Sequence, residues 1–182
     1  MPDSQEIRVS RSSTGRPANV RLGVPGDEKA ILAMLLEGHD ENGLVEADVD
    51  KMRGEIAAMV RQDSGAFSMI GLIEQDGQLA ASVGLTLSQL WYSSEWTLGE
   101  RWAYVRPAFR DHTDYVTDLI NFSKWASDQL GVPLEMGIIS TFRTEAKVRL
   151  YRRHLKPIGA FFAYGIERAN GPLALEERLN HG

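Results

Sequence analysis

The segment that bears most directly on chemistry runs from Glu100 to Val116, where a predicted apolar strand leads through a loop into a predicted helix. Pro107 marks the loop, and Arg110 stands three residues later, just ahead of the helix. A helix that begins directly after a strand presents unpaired backbone N–H groups and the positive end of its dipole. An arginine beside such amides favours the binding of an anion such as a pyrophosphate.

The elements that must position this loop follow from apolar periodicity and from turn residues. The predicted order is β-α-α-β-β-β-α-β-α-β, with strands at 19–24, 66–74, 79–87, 100–106, 134–140 and 159–167 and helices at 27–38, 47–61, 112–130 and 144–154. Asp76-Gly77 predicts a tight hairpin turn, and residues 38–43 are predicted to be a flexible connector. A hairpin-rich first half followed by βαβα predicts an α/β protein whose mixed sheet has helices on both faces.

A single domain is expected, because 182 residues fall within the roughly 100–200 residues that one domain usually takes. Residues 1–18 are polar and are predicted to form a flexible N-terminal tail. The domain is predicted to cover residues 19–167, and residues 168–182 are predicted to be a C-terminal tail.

Composition excludes several classes of protein. The chain has no cysteine, which excludes disulfides, thiolate metal sites and a cysteine acyl-enzyme. A formal net charge of −5 argues against nucleic acid as a partner, although a local basic cluster exists at Arg149, Arg152, Arg153 and Lys156. No stretch approaches the ~20 apolar residues of a membrane span, the start does not resemble a signal peptide, and the histidines lack metal-ligand spacing. A cytoplasmic protein without a bound metal is therefore expected.

The order of elements, Val105-x-Pro107-x-x-Arg110 and the later Leu150-Tyr151 pair resemble the acetyl-CoA-binding core of the GNAT-type N-acyltransferases. The resemblance covers about residues 19–167. It implies a GNAT-like fold with acetyl-CoA or another acyl-CoA as co-substrate. It also implies transfer of the acyl group to a primary amine, on a small molecule or a protein, by direct attack in a ternary complex. A homodimer is compatible with the family.

The same resemblance implies that residues 110–116 hold the CoA pyrophosphate: Arg110, Asp111, His112, Thr113, Asp114, Tyr115 and Val116. The family's loop reads Gln/Arg-x-x-Gly-x-Gly/Ala, so Thr113 and Tyr115 replace two small residues, and two aspartates add negative charge. Glycine lets the backbone approach a phosphate closely. The tyrosine must therefore turn away or block the path. An ordinary strand-to-helix turn capped by Thr113 or Asp111 stays open as an alternative.

The resemblance also assigns catalytic roles. It implies that Tyr151 is the acid that protonates the leaving thiolate and that Glu100 is the base, acting directly or through water. The backbone groups of Tyr104 and Val105 are expected to face the pantetheine arm where the fourth and fifth strands splay, with Ser140 near the same gap. Plain structural roles remain open for these residues: a packing tyrosine, a solvated carboxylate at a strand start and a polar strand terminus.

Two other functions remain open from the sequence. The altered loop fits a GNAT-like domain that has lost transferase activity and binds a ligand or a partner. The basic cluster fits a phage-type GNAT-like protein that modifies a nucleic-acid base. If the protein is a transferase, the acceptor is expected beside His39-Asp40-Glu41, whose acidity suits a cationic amine.

Overall fold

The computed structural model describes residues 15–62, 67–111, 114–140 and 143–162, and these form one five-stranded sheet with strand order β1-β2-β3-β4-β5. The strands are β1 (Arg21–Leu22), β2 (Ser68–Gln75), β3 (Gln78–Gln89), β4 (Trp96–Val105) and β5 (Leu134–Glu135). Neighbouring strands are antiparallel except β4 and β5, which are parallel. The predicted mixed sheet is confirmed.

Four helices cover the sheet: α1 (Glu28–Asn42), α2 (Val49–Arg61), α3 (Tyr115–Leu130) and α4 (Thr144–His154), with a short 3₁₀ helix at Pro107–Phe109. The helices α1 and α2 pack Ile31 and Ile56 into one buried cluster with residues of β2 and β3. The helix α3 packs Leu119 and Phe122 into a second buried cluster, which contains Val83 of β3. Because successive strand residues alternate between the two clusters, the helices lie on both faces, as predicted.

The turn residues act as the sequence predicts. Asp76 and Gly77 both have positive φ, 53° and 73°, and Gln75 pairs with Gln78 across them. This is the two-residue hairpin that a primed turn favours. The helix α3 ends at Gly131, which has φ 70° and takes the left-handed conformation that glycine permits at a helix end.

The predicted end of α1 at Gly38 is wrong, because the helix continues to Asn42. A Cβ on residue 38 would lie 3.0 Å from the Tyr104 ring. Gly38 therefore allows α1 to lie close to β4, and it does not mark a helix end. The predicted flexible connector is consequently replaced by the last turn of α1, and Gly43 follows that turn with its N–H donated to the His39 carbonyl at 2.6 Å.

Other predicted boundaries also move. The strand β4 starts at Trp96, so Glu100 lies inside the strand and not at its start. The strand begins earlier than predicted because its pairing with β3 extends back to the pair of Gln89 with Trp96. The helix α3 starts at Tyr115 and not at residue 112.

The two last strands differ most from the prediction. The strand β5 has only two residues, because it pairs with β4 only at Leu134 and Glu135, and a strand needs a ladder partner as well as apolar residues. Residues 159–162 of the predicted closing strand are not in a strand, and residues 163–167 lie outside the described residues. Most of the predicted N-terminal tail and all of the C-terminal tail also lie outside them. In the described part of the chain, no helix combines the length and apolar character needed to cross a membrane.

Candidate active site

The strands β4 and β5 separate after two residue pairs. Leu98 pairs with Leu134 and Gly99 with Glu135. Beyond Gly99, β4 continues to Val105 with no strand beside its outer edge among the described residues. The predicted divergence of the fourth and fifth strands is therefore present, and we call this opening the β4–β5 cleft.

A β-bulge lies at the start of the cleft. Glu100 and Trp102 pair with adjacent residues of β3, so Arg101 is an extra residue in β4. The extra residue reverses the alternation of side chains. Leu98 packs in the cluster beneath α3, whereas Trp102 packs against the cluster beneath α1 and α2. Bulges of this kind re-aim side chains and are frequent beside active sites.

The carboxylate of Glu100 meets the side chain of Tyr151 from α4. The Tyr151 hydroxyl donates a hydrogen bond to Glu100 Oε2 at 3.3 Å, and the Gly137 backbone N–H donates to the same carboxylate. A distance of 3.3 Å exceeds the ~2.7 Å usual for O–H···O, so this hydrogen bond is long. The two residues that the sequence singles out as base and acid are thus in contact.

Burial shifts the proton equilibria of this pair. Burial raises the pKa of Glu100 to about 7, and the hydrogen bonds from Tyr151 and Gly137 oppose that rise. Burial, and then the neighbouring Glu100 carboxylate, raises the pKa of Tyr151. Near neutral pH, Glu100 is therefore close to half ionisation while Tyr151 retains its proton. These are the states that a base and an acid need before transfer.

Arg110 is held by α1. Its Nη1 and Nη2 donate to Glu41 Oε1 and Oε2 at 2.8 and 2.7 Å, and its Nε donates to the Val105 carbonyl at 2.8 Å. The guanidinium also lies 5.3 Å from the centre of the Tyr104 ring, whose hydroxyl donates to Glu41 at 3.2 Å. Hydrogen bonding to Arg110 holds the pKa of Glu41 below its usual value. The carboxylate that the sequence offers to a cationic acceptor is therefore already paired.

Tyr115 does not point its hydroxyl to solvent. That hydroxyl donates to Gln75 Oε1 at 2.7 Å, at the end of β2, and the ring packs beside Val116 against the cluster beneath α3. Of the two outcomes expected for this tyrosine, turning away or blocking the loop, the contact with Gln75 favours the first.

The rest of the loop is only partly described. Asp111 is exposed, and His112 and Thr113 lie outside the described residues. Asp114 occupies the N-cap position of α3, but its side chain makes no capping bond with a described residue. The N-cap residue of α3 is thus Asp114, and not Thr113 or Asp111 as in the alternative interpretation of the loop, and its carbonyl accepts the first helical hydrogen bond from the Asp118 N–H at 3.0 Å.

A polar triangle joins α1, the segment after β5 and α4, and two of its three members are not predicted by the sequence. Ser140 Oγ donates to Asn42 Oδ1 at 2.7 Å, and Lys147 Nζ donates to both of these oxygens at 2.7 Å. Ser140 therefore lies where α1 and α4 meet. Asn42 gives no sequence signal, but Lys147 precedes Tyr151 by four residues and so shares its face of α4.

Structural comparison identifies the fold. Comparison with protein-family models and with curated proteins finds no match. Among solved structures, a possible acetyltransferase from Clostridium difficile matches with TM-score 0.61 at 13% identity, covering 82% of this chain and 97% of that one. A predicted acetyltransferase with acetyl-CoA from Clostridium acetobutylicum matches with TM-score 0.61 at 9% identity, with coverage of 84% and 99%.

An aminoglycoside antibiotic 6'-N-acetyltransferase from Acinetobacter haemolyticus also matches, with TM-score 0.61 at 13% identity and coverage of 84% and 99%. The chain therefore has the fold of the GNAT N-acyltransferases, as the sequence predicts. At these identities the likeness establishes the fold and leaves activity and substrate to the site itself.

Proposed function

We propose that this protein transfers an acyl group, acetyl in the first instance, from acyl-CoA to a primary amine. The observation that carries the proposal is the hydrogen-bonded Glu100–Tyr151 pair at the point where β4 and β5 diverge. The named activities of the similar structures support it, since one contains acetyl-CoA and another acetylates an aminoglycoside amine. A small-molecule amine is therefore the acceptor class that we favour.

The pair supplies both proton transfers of the reaction. The neutral amine attacks the thioester carbonyl carbon, and its surplus proton passes to the Glu100 carboxylate. The carbon–sulfur bond breaks as the Tyr151 hydroxyl gives its proton to the leaving sulfur. Tyr151 then recovers a proton from Glu100 across their hydrogen bond, which restores both side chains. The chain has no cysteine, so a thioester on the enzyme cannot form, and direct attack by the amine does not require one.

The co-substrate would occupy the β4–β5 cleft. We assign the pantetheine arm to the open edge of β4 near Tyr104 and Val105, with Ser140 opposite, and the pyrophosphate to residues 110–116. Arg110 uses three of its five N–H donors on Glu41 and Val105, so it must exchange Glu41 for the pyrophosphate in order to bind the latter through both Nη atoms in the same paired geometry. Coenzyme affinity therefore depends on that exchange.

The same ion pair favours the alternative function, a domain that binds a ligand or partner without catalysis. An arginine that serves only to tie the loop to α1 would leave the coenzyme without its main cation. The two functions differ in one measurable property, which is affinity for acyl-CoA.

Calorimetric titration with acetyl-CoA tests the proposal, with desulfo-CoA and dephospho-CoA as reference ligands. We expect micromolar binding, followed by turnover in a screen of primary amines. Tyr151→Phe should lower kcat by roughly 10²–10⁴-fold with little change in the dissociation constant. The matched control is Tyr92→Phe, since Tyr92 is 68% exposed. A lack of binding up to millimolar acetyl-CoA would select the non-catalytic alternative, and full turnover by Tyr151→Phe would remove the acid.

A further inference from the structure

Two consecutive residues at the end of α1 contact two different cations. Glu41 accepts from both Nη atoms of Arg110 at 2.8 and 2.7 Å, whereas Asn42 Oδ1 accepts from the Nζ of Lys147 at 2.7 Å. The ammonium of Lys147 is therefore bound to the residue next to Glu41, while the Glu41 carboxylate itself is paired with Arg110.

The charges of these three side chains already act on one another. Hydrogen bonds from Arg110 hold the pKa of Glu41 below its usual value, and the charge of Lys147 acts in the same direction. Burial lowers the pKa of Lys147, and the charges of Glu41 and Arg110 act on it in opposite directions. Glu41 thus interacts with one cation from the loop after β4 and with another from α4, and of these two only Arg110 is hydrogen-bonded to it.

The Glu41 carboxylate would be destabilised if Arg110 bound an anion instead. Its side chain is only 18% exposed, and a carboxylate largely removed from water is costly without a cation. A pyrophosphate on Arg110 would also place negative charge beside it. The Tyr104 hydroxyl donates to Oε2 at 3.2 Å but is uncharged. Lys147 is the second cation that acts on this carboxylate, and its flexible stem allows the ammonium to turn from Asn42 to Glu41.

We propose that Glu41 exchanges Arg110 for Lys147 when acyl-CoA binds, and that the new ion pair ties α4 to α1. This inference rests on the proposed coenzyme site, in which Arg110 receives the pyrophosphate. Lys147 and Tyr151 are four residues apart on α4, so they lie on one face and about 6 Å apart along the helix axis. Lys147 is therefore a positioning residue for Tyr151, and its ion pair forms only with the coenzyme in the cleft.

A single ion pair matters for α4 because this helix has little apolar packing. Its eleven residues are at most partly buried, so polar contacts determine where it lies. The hydrogen bond from Tyr151 to Glu100 is long at 3.3 Å. A helix held more firmly against α1 allows that bond to shorten when the coenzyme is in the cleft.

Acetyl-CoA affinity in a double-mutant cycle tests the exchange. Lys147→Gln should weaken acetyl-CoA binding by about threefold to fivefold, the scale of one partly exposed ion pair. In a Glu41→Gln background the same substitution should change affinity by less than about 1.5-fold, because the carboxylate that Lys147 would bind is absent. Calorimetry measures all four proteins, and Lys51→Gln, at an exposed position of α2, is the control.

Two other roles for Lys147 predict different results in this cycle. Direct contact of Lys147 with the pyrophosphate predicts equal weakening with and without the Glu41 carboxylate. A purely structural role predicts a lower Tm for Lys147→Gln and unchanged affinity in both backgrounds. Either result would overturn the exchange, whereas Lys147→Arg should retain the affinity because it keeps the positive charge.

Turnover at saturating substrates tests the positioning role. Lys147→Gln should lower kcat by about threefold to tenfold, with no further loss when it is added to Glu41→Gln. Lys147→Arg should restore most of the lost kcat. An unchanged kcat in Lys147→Gln would show that the ion pair does not position Tyr151.

Hydrogen exchange keeps this test separate from that of the proposed function. Arg110→Gln removes the guanidinium without any ligand and so releases Glu41 to Lys147. In that background, Lys147→Gln should speed exchange of the α4 amides by about threefold to fivefold more than it does in the wild type. If acetyl-CoA does not bind, the proposed function fails, while this difference would still support the exchange. Equal effects of Lys147→Gln in the two backgrounds would overturn it.

Discussion

The helices α3 and α4 each follow a strand of the parallel pair, yet they are held in different ways. Six residues of α3 are buried, whereas the eleven residues of α4, all of them described, are at most partly buried, Tyr151 included. Polar contacts position α4 instead, through Lys147 to α1, through Tyr151 to β4 and through His154, whose Nε2 lies 3.5 Å from Thr117 Oγ1 of α3. Elements with little buried apolar area open at a lower free-energy cost.

This contrast places the two proposed proton-transfer residues on elements of unequal rigidity. Glu100 belongs to β4, which pairs with β3 from Trp96 to Val105. Tyr151 belongs to α4. A base fixed in a sheet and an acid on a loosely packed helix allow the acid to adjust when substrates enter, while the carboxylate stays in place.

The largest effect is expected at the rigid member of the pair. Glu100→Gln should lower kcat/KM by roughly 10²–10⁴-fold, because the amide cannot accept a proton. The base is the ionised form and its pKa is about 7, so wild-type activity should rise with pH through that value. The variant should lose that rising limb in a pH–rate profile. Glu55→Gln on the exposed side of α2 is the control, and an unchanged limb in Glu100→Gln would assign the titration to another group.

A matched pair of leucines measures the contrast between the two helices directly. Leu119 of α3 is 1% exposed, and Leu150 of α4 is half-buried. Leu119→Ala should lower the free energy of unfolding by about 2–5 kcal/mol, through lost burial and a cavity. Leu150→Ala should cost about 1 kcal/mol or less, since less apolar area leaves water. Urea denaturation measures both values, and equal losses would show that α4 is packed as firmly as α3.

A smaller effect is expected at the other end of the cleft. Glu41→Gln removes the carboxylate that occupies Arg110 and should therefore tighten acetyl-CoA binding by about threefold to tenfold. It should also lower stability by about 1 kcal/mol, the scale of a partly exposed ion pair. Calorimetry and urea denaturation measure the two changes. Weaker binding in Glu41→Gln would mean that the ion pair shapes the coenzyme site and does not compete with it.

Local features of the fold are readable from the sequence, and long-range ones are not. The Asp76-Gly77 turn, the end of α3 at Gly131 and the bounds of α4 depend on neighbouring residues, and all three follow from the sequence. Gly38 lies inside α1, where a Cβ would come within 3.0 Å of the ring of Tyr104, 66 residues away. No local pattern predicts that close approach.

The candidate site divides in the same way. The family pattern indicates Glu100 and Tyr151, and the structure adds the hydrogen bond between their side chains. The pairing of Arg110 with Glu41, 69 residues apart, is set by how α1 meets the end of β4, so the loop sequence alone suggests a cation free for phosphate. Asn42 and Lys147 form their contacts only when α1 and α4 come together.

The extra residue in β4 makes this strand far less tolerant of a change in length than of a change in side chain. Arg101 is exposed, so replacing its side chain should alter stability very little. Deleting the residue would remove the bulge and turn every later side chain of β4 to the opposite face, including Tyr104 and Val105. At this position an insertion or deletion of one codon is therefore expected to abolish folding, where almost any missense change would be tolerated.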